Sequence, residues 1–269
     1  MLDHTSWAHT YIDLDRPNAA RIYDYLLGGA TNSAADRELA REIIRVMPEV
    51  EYLTRANRAF LRRAVRLLVD LGVHQFIDIG SGIPTAGNVH EVAQGRDPRC
   101  RVVYVDREPA AVFHSELLLQ DNEFAAVVHE DFRRPGAVLS SPEVQHLIDF
   151  DRPVGLLLFA LLHHVPDEDD PAELMSVYRE ALPEGSYVAL SHSTHEAVSD
   201  HILTVYDLYA ANRTPITLRG QADIARLIDG FDPLEPGIVH VPRWRPESPE
   251  DADHPEEAAI YGVVARKQR

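Results

Sequence analysis

The residues of this chain best suited to chemistry are acids and glycines at the ends of apolar runs. Phe76, Ile77 and Ile79 form a short β-branched and aromatic run that stops in Gly80-Ser81-Gly82, the pattern of a buried parallel strand ending in a tight turn. Such a turn bares backbone amides toward a ligand, and an acid, Asp78, stands just before it. A second acid, Asp106, closes the run RVVYVD, where a carboxylate can accept two hydrogen bonds from a ribose diol. A third, Asp131, closes AAVVHED and precedes Phe132, setting a hydrogen-bond acceptor beside a flat ring. A dinucleotide site would need Gly or Ala at position 85 for close helix packing, and Thr85 stands there, so the NAD fingerprint fails at its third place.

Further along, FALLHHVPDEDDP places His163 and His164 where ligands bind in open α/β sheets. A neutral imidazole there could take a proton from a hydroxyl or amine. The pair reads equally as one ring capping the next helix and the other packing on the sheet. If the strand continues through both, alternation sends the rings to opposite sides and only one faces the ligand; His164, farther along the exit, is the preferred base. Together with Asp167, Glu168, Asp169 and Asp170 the histidines fit no tetrahedral zinc spacing, and the acids suit the start of a helix at Pro171, so no metal is expected. Ser191, His192 and His195, with Tyr206 and Tyr209, are expected to line a pocket for a second reactant, although packing explains both tyrosines as well.

These residues need a sheet to hold them. Strands are predicted at 75–79, 101–105, 124–129, 153–159 and 186–191, alternating with helices near 87–95, 109–120, 142–149, 170–182, 195–211 and 220–229. That alternation implies βαβ units and a parallel sheet. The runs FDPLEPGIVHVPRW and AAIYGVVARK read as a closing antiparallel hairpin, with PESPEDADHPEE as a solvated loop between them. Before the first strand come three helices: one in RPNAARIYDYLLGG ended by Gly28-Gly29, one from Ser33 to Met47, and one over 49–71 closed by Gly72. The third has Leu53, Ala56, Phe60, Ala64 and Leu67 on one face and Arg55, Arg58, Arg62 and Arg66 on the other. Asn57 breaks the apolar face, and a buried amide needs partners.

Length and composition narrow the function. A chain of 269 residues with 45% hydrophobic and 26% charged residues suits one large α/β unit with a small cap. The formal charge of −17 disfavours nucleic acid and anionic membrane surfaces, both of which need cations to meet phosphate. The amino-terminal helices are locally basic, with ten Arg against six Asp and Glu over residues 16–66, which reads first as solvated helix faces. A single cysteine, Cys100, excludes an internal disulfide, and the longest uncharged apolar run, VGLLLFALL, is too short to span a bilayer. A cytoplasmic setting is expected; the oligomeric state is left open.

The strand ends DIGSG, YVD and EDF resemble the cofactor signature of class I S-adenosylmethionine-dependent methyltransferases. More closely, RPNAARIYDYLLGGATN, RANRAFLRRAVRLL, GVHQFIDIGSGIPTAGNVHEVAQ, RVVYVDREP, LLLFALLHHVPDEDDP and EGSYVALSH resemble the S-adenosyl methyltransferase family, which carries an amino-terminal helical extension. Pro84, where the wider class often has Gly, matches that family's own loop. The resemblance implies a Rossmann-like α/β fold with a mostly parallel seven-stranded sheet, helices on both faces, an antiparallel closing hairpin, and a cap. The cap would span residues 1–72 and the S-adenosylmethionine-binding domain 73–269. By the same resemblance S-adenosyl-L-methionine is the cofactor, contacted by Asp78, Gly80, Ser81, Gly82, Asp106, Arg107, Asp131 and Phe132. An extension closing over it would add Tyr23, Gly28, Gly29 and Asn57. The implied activity is methyl transfer to O, N or C of a small-molecule acceptor, with a catalytically silent regulatory protein binding S-adenosylmethionine or S-adenosylhomocysteine as the alternative.

Overall fold

The computed structural model describes residues 12–268 except 86, 197–200 and 253; the first eleven residues of the expected cap therefore lie outside the described residues. Helix α1, Ala19–Leu26, starts after Asn18, which caps it, its side chain accepting from the amides of Ala20 and Arg21. Helix α2, Ala34–Val46, has the expected cap: Ser33 and Asp36 form a reciprocal capping box. Helix α3, Val50–Asp70, ends where Gly72 turns at φ +88°.

Strands β1 (Gln75–Ile79), β2 (Arg101–Asp106), β3 (Ala125–His129), β4 (Gly155–Phe159) and β5 (Tyr187–Ser193) are parallel, separated by helices α4 (Val89–Gln94), α5 (Pro109–Leu119), α6 (Pro135–Leu139), α7 (Pro142–Leu147) and α8 (Pro171–Ala181). Two further helices, α9 (His201–Ala211) and α10 (Gln221–Leu227), follow β5. The long last strand β8, Ile260–Lys267, runs antiparallel beside β5, with β6 (Phe231–Pro233) outside it, giving the order β3-β2-β1-β4-β5-β8-β6. The expected closing hairpin is more broken than the sequence suggested. Its first arm splits into β6 and the two-residue β7, Val239–His240, both paired to β8, which brings the sheet to eight strands. Pro233 and Pro236 remove ladder donors between them. The acidic segment that follows is not a plain loop either: it holds short helical turns at Pro249–Ala252 and Pro255–Ala258, with Ala258 buried.

One sheet face buries Ile77, Val103, Leu156 and Leu158 under α6, α7, α8 and α10. The other buries Phe76, Val102 and Leu157 under α3, whose Phe60, Ala64 and Leu68 belong to that same core. A third core lies beyond the strand ends, where Ile22, Leu26, Leu39, Ile43 and Met47 from α1 and α2 pack on Ile202 and Val205 of α9. The strand order reverses between β1 and β4, so a crevice opens at their carboxyl ends, the switch point where open α/β sheets bind ligands. The third core roofs it.

Candidate active site

The crevice is a half-enclosed cavity, and the residues singled out at the strand ends converge on it. Asp78, Gly80, Ser81, Gly82, Asp106, Arg107, Asp131, Phe132, His163, His164, Tyr23 and Asn57 all line it. Gly28 and Gly29 do not. Gly28 ends α1 at φ +81°, and a Cβ on Gly29 would lie 2.0 Å from Oδ1 of Asp24, whose carboxylate accepts from Thr31 N and Asn32 Nδ2. The pair is a helix stop that makes room for a buried acid.

The glycine turn has the geometry its residues imply. Gly80 and Gly82 take φ +70° and +67°, and a Cβ on Gly80 would approach Leu161 Cδ1 to 2.6 Å. The Gly82 amide donates to Asp106 Oδ2 at 2.7 Å, and the Glu108 amide donates to Oδ1 at 2.8 Å. The carboxylate, with four lone-pair sites, keeps acceptor capacity beyond these backbone donors, the requirement for gripping neighbouring hydroxyls. Burial raises the Asp106 carboxyl against those two donors. Asp78, 4% exposed, is pushed up to about 7, by burial first and further by Asp106, while Arg58 opposes the rise. Two desolvated carboxylates at adjacent strand ends favour a cationic ligand between them.

Arg58 is a site residue that the sequence placed on the solvent face. It follows Thr54 by four residues and precedes Leu61 by three, and both of those are buried, so a second stripe of α3 faces the crevice. Its Nη2 donates to Thr85 Oγ1 and Asn88 Oδ1 at 3.3 Å each. Its Nε, Asn57 Oδ1 and Ser81 Oγ are buried without a partner among the described residues, and all three residues line the cavity. A guanidinium donor, an amide acceptor and a hydroxyl left unmatched together fit a ligand carrying both a carboxylate and an ammonium group. Asn57 Nδ2 meanwhile donates to the Tyr23 hydroxyl at 2.9 Å, which answers half of the buried-amide question.

The third strand end departs from expectation. The Phe132 ring is 3% exposed and stacked on Tyr178, centroids 5.2 Å apart, so it belongs to the sheet core although it borders the cavity. Burial pushes the Asp131 carboxyl up, but bidentate bonds from Arg133 Nε and Nη2 at 3.0 and 2.6 Å outweigh it and hold it near 2.

The roof is tied to β2 by a buried charge network invisible in any short motif. Arg21, 3% exposed, donates through Nε to Asp36 at 2.7 Å and through Nη1 to Glu108 at 3.1 Å, and Asn18 Nδ2 reaches the other Glu108 oxygen at 2.6 Å. The Glu108 amide is one of the two donors on Asp106.

At the far side β4 ends at Phe159 and Ala160 takes φ +53°, a conformation costly for a non-glycine residue, with its amide bonded to Ser191 Oγ at 2.9 Å. Leu162–His164 then form a 3₁₀ turn. The chain has left the pleat, so the alternation argument fails and both rings border the cavity. Their roles differ. The Ser193 amide points its hydrogen at His163 Nδ1 at 3.4 Å, which occupies that lone pair. His164 is held through a hydrogen bond to the Pro215 carbonyl, which makes the bonded nitrogen the N–H and leaves the other as an acceptor. Burial drives His163 well below the usual imidazole value and His164 to about 4, so both are neutral near pH 7. Tyr206 and Tyr209 border the cavity as expected; Ser191, His192 and His195 do not. His192 instead pairs its Nε2 with Arg219 at 2.9 Å, and Arg219 also holds the Leu162 and Val165 carbonyls, fixing the histidine turn from behind. Among the described residues no group of His, Cys, Asp and Glu is arranged to hold a metal.

A mostly parallel sheet in this order, with an antiparallel strand inserted near one edge and acids at the ends of its first strands, is the class I methyltransferase fold. Residues 5–268 match the family model described as S-adenosyl methyltransferase, and the chain belongs to that family. It is similar to a DUF574 family protein from Streptomyces avermitilis MA-4680, at 40% identity over 96% of this chain and 100% of the other, TM-score 0.92. A candidate methyltransferase from Thermobifida fusca YX matches at 35% identity over 98% and 100% of the two chains, TM-score 0.91. N-methyltransferase NodS from Bradyrhizobium japonicum WM9, solved with S-adenosyl-L-homocysteine, shares the fold at 12% identity over 93% and 100%, TM-score 0.51. A search of curated proteins returns no significant match. The cofactor is S-adenosyl-L-methionine, and the unmatched Arg58, Asn57 and Ser81 atoms, with the Asp106 carboxylate, fit its amino-acid and ribose parts. No helix among the described residues is long and apolar enough to cross a membrane.

Proposed function

We propose that the protein transfers the methyl group of S-adenosyl-L-methionine to an oxygen, nitrogen or carbon of a small molecule taken up in the same cavity, with His164 accepting the proton. The observation that carries this reading is the continuity of the cavity. Its lining includes the residues suited to the cofactor, Asp78, Gly80, Gly82 and Asp106, and also His164, one ring nitrogen of which bonds the Pro215 carbonyl.

When bound, the cofactor supplies an electrophilic methyl group. Asp106 accepts from the ribose hydroxyls, Arg58 and Asn57 meet the carboxylate and ammonium, and Asp78 offsets positive charge. The described part of the amino-terminal segment, residues 12–72, acts as a cap: Tyr23 and Asn57 border the cavity, and the Arg21–Glu108 link holds the roof against β2 and helps keep bulk water out. His164 takes the acceptor's proton as the new bond forms. A weak base suffices there, because a hydroxyl becomes strongly acidic once its oxygen begins to bond to carbon. The negative charge favours a small-molecule partner over nucleic acid, and the proposed setting is cytoplasmic.

The test is incubation with cofactor labelled on the methyl carbon and a fractionated metabolite extract. Label on an extract component supports the proposal. Cofactor binding without transfer in any fraction turns the reading toward a regulatory binding protein.

A further inference from the structure

The charge of the cavity is partitioned along the sheet. Its acidic and basic lining residues, from Asp78 through Asp106, Glu108 and Asp131 to Arg133, come from the ends of β1 to β3, and Arg58 faces the same end through its interaction with Asp78. Beyond β4 the described lining has none. That half is made by Met47, Val50, Ile202, Val205, Tyr206 and Tyr209, members or close neighbours of the third core, together with the two histidines. Resting on the methyl-transfer reading, we infer that the acceptor is an uncharged, mostly apolar molecule of aromatic size bearing a hydroxyl group, which His164 receives. Arg107, at the β2 end, is the cation whose influence reaches His164; beyond it a carboxylate or ammonium in this half would find no charged lining residue as a partner and would be desolvated. Tyr206 and Tyr209 add aromatic rings to the lining, with the Tyr206 hydroxyl bonded to Ser193, and rings beside a cavity suit an aromatic guest. Burial keeps both phenols protonated and both imidazoles neutral, so the wall offers hydrogen bonds and no net charge.

The experiment titrates the full-length protein, saturated with S-adenosyl-L-homocysteine, with 2-naphthol, 2-naphthoate and 2-naphthylmethylammonium. Naphthol is expected to bind tighter than either ion by on the order of 100-fold. Val205→Asp should abolish naphthol binding, and the near-isosteric Val205→Thr, which keeps the shape if the Asp variant misfolds, should weaken it about threefold to tenfold. In both variants naphthol affinity should fall by a larger factor than affinity for S-adenosyl-L-homocysteine, and an equal fall in the two affinities would overturn the inference. Equal or tighter binding of either ion, or no naphthol binding to the saturated protein, overturns the inference. Failure to bind S-adenosyl-L-homocysteine at all would instead strike the cofactor site, and naphthol binding without labelled transfer to any acceptor would strike the proposed reaction.

Discussion

Replacing Arg21 by Met tests whether the roof is held by charge or by packing alone. Arg21 is 3% exposed and joins Asp36, itself 0% exposed, to Glu108 on the other side of the crevice. Methionine preserves the aliphatic bulk but leaves the buried Asp36 and the partly buried Glu108 without their shared cation. Breaking a buried pair from one side costs about 3–5 kcal/mol. Asp36 keeps backbone donors from Asn18 and Ser33, and the Glu108 side chain retains 17% exposure, so the lower end applies. About 3 kcal/mol corresponds to a fall in melting temperature of roughly 6–12 °C for a chain of this size. Because the Glu108 amide donates to Asp106, affinity for S-adenosyl-L-homocysteine should fall as well. Urea unfolding and calorimetry read the two effects, and Glu108→Gln added to the Met variant should recover part of the stability. A loss under about 1 kcal/mol with unchanged affinity would refute the latch.

His164→Ala should bind cofactor normally yet lose about 10²–10⁴-fold in turnover, while His163→Ala, whose lone pair is already engaged, should lose stability and far less turnover; full activity in both, in a transfer assay with affinity measured alongside, removes a histidine base from this turn. Acid should unfold the protein early. His192 is held near pKa 4 by burial and by Arg219, whereas the unfolded chain binds that proton near 6.5. Its stabilisation is therefore complete above about 6.5 and lost between 6.5 and 4, on the order of 3 kcal/mol, with His163 shifting in the same direction; urea midpoints flat across that range would contradict this. Asp78, raised to about 7, should give up a proton when a cation enters, so binding enthalpy at pH 7 should vary with the buffer's ionisation enthalpy, and Asp78→Asn should lose that dependence.

The sheet was legible because each strand is a short apolar run ending in a residue that stops it: Gly80 after Ile79, Asp106 after Val105. Helix α3 was legible from its long period, and Asp78, Gly82 and Asp106 from their place at strand ends. What escaped is non-local or depends on leaving regular structure. Arg21 and Glu108 meet across 87 positions, and nothing near either one announces the other. Arg58 looked solvated because the stripe of α3 facing the crevice is narrow and polar at Thr54 and Asn57. The two histidines were assigned to opposite faces on the premise of a strand that in fact ends at Phe159, where Ala160 reverses the backbone. Gly28 and Gly29 carried the family-like string but serve the turn after α1, a demand set by Asp24 and not by the ligand.

The central claim is that this crevice holds S-adenosyl-L-methionine through Asp106. Its most direct test is calorimetric titration of the full chain and of Asp106→Ala with S-adenosyl-L-homocysteine, with NAD as the control. The account predicts binding to the unmodified chain, a loss of about 1.5–3 kcal/mol in the variant, roughly 10- to 150-fold, with its melting temperature little changed, and no binding of NAD. Unaltered affinity in a folded Asp106→Ala, or binding of NAD without S-adenosyl-L-homocysteine, would contradict it.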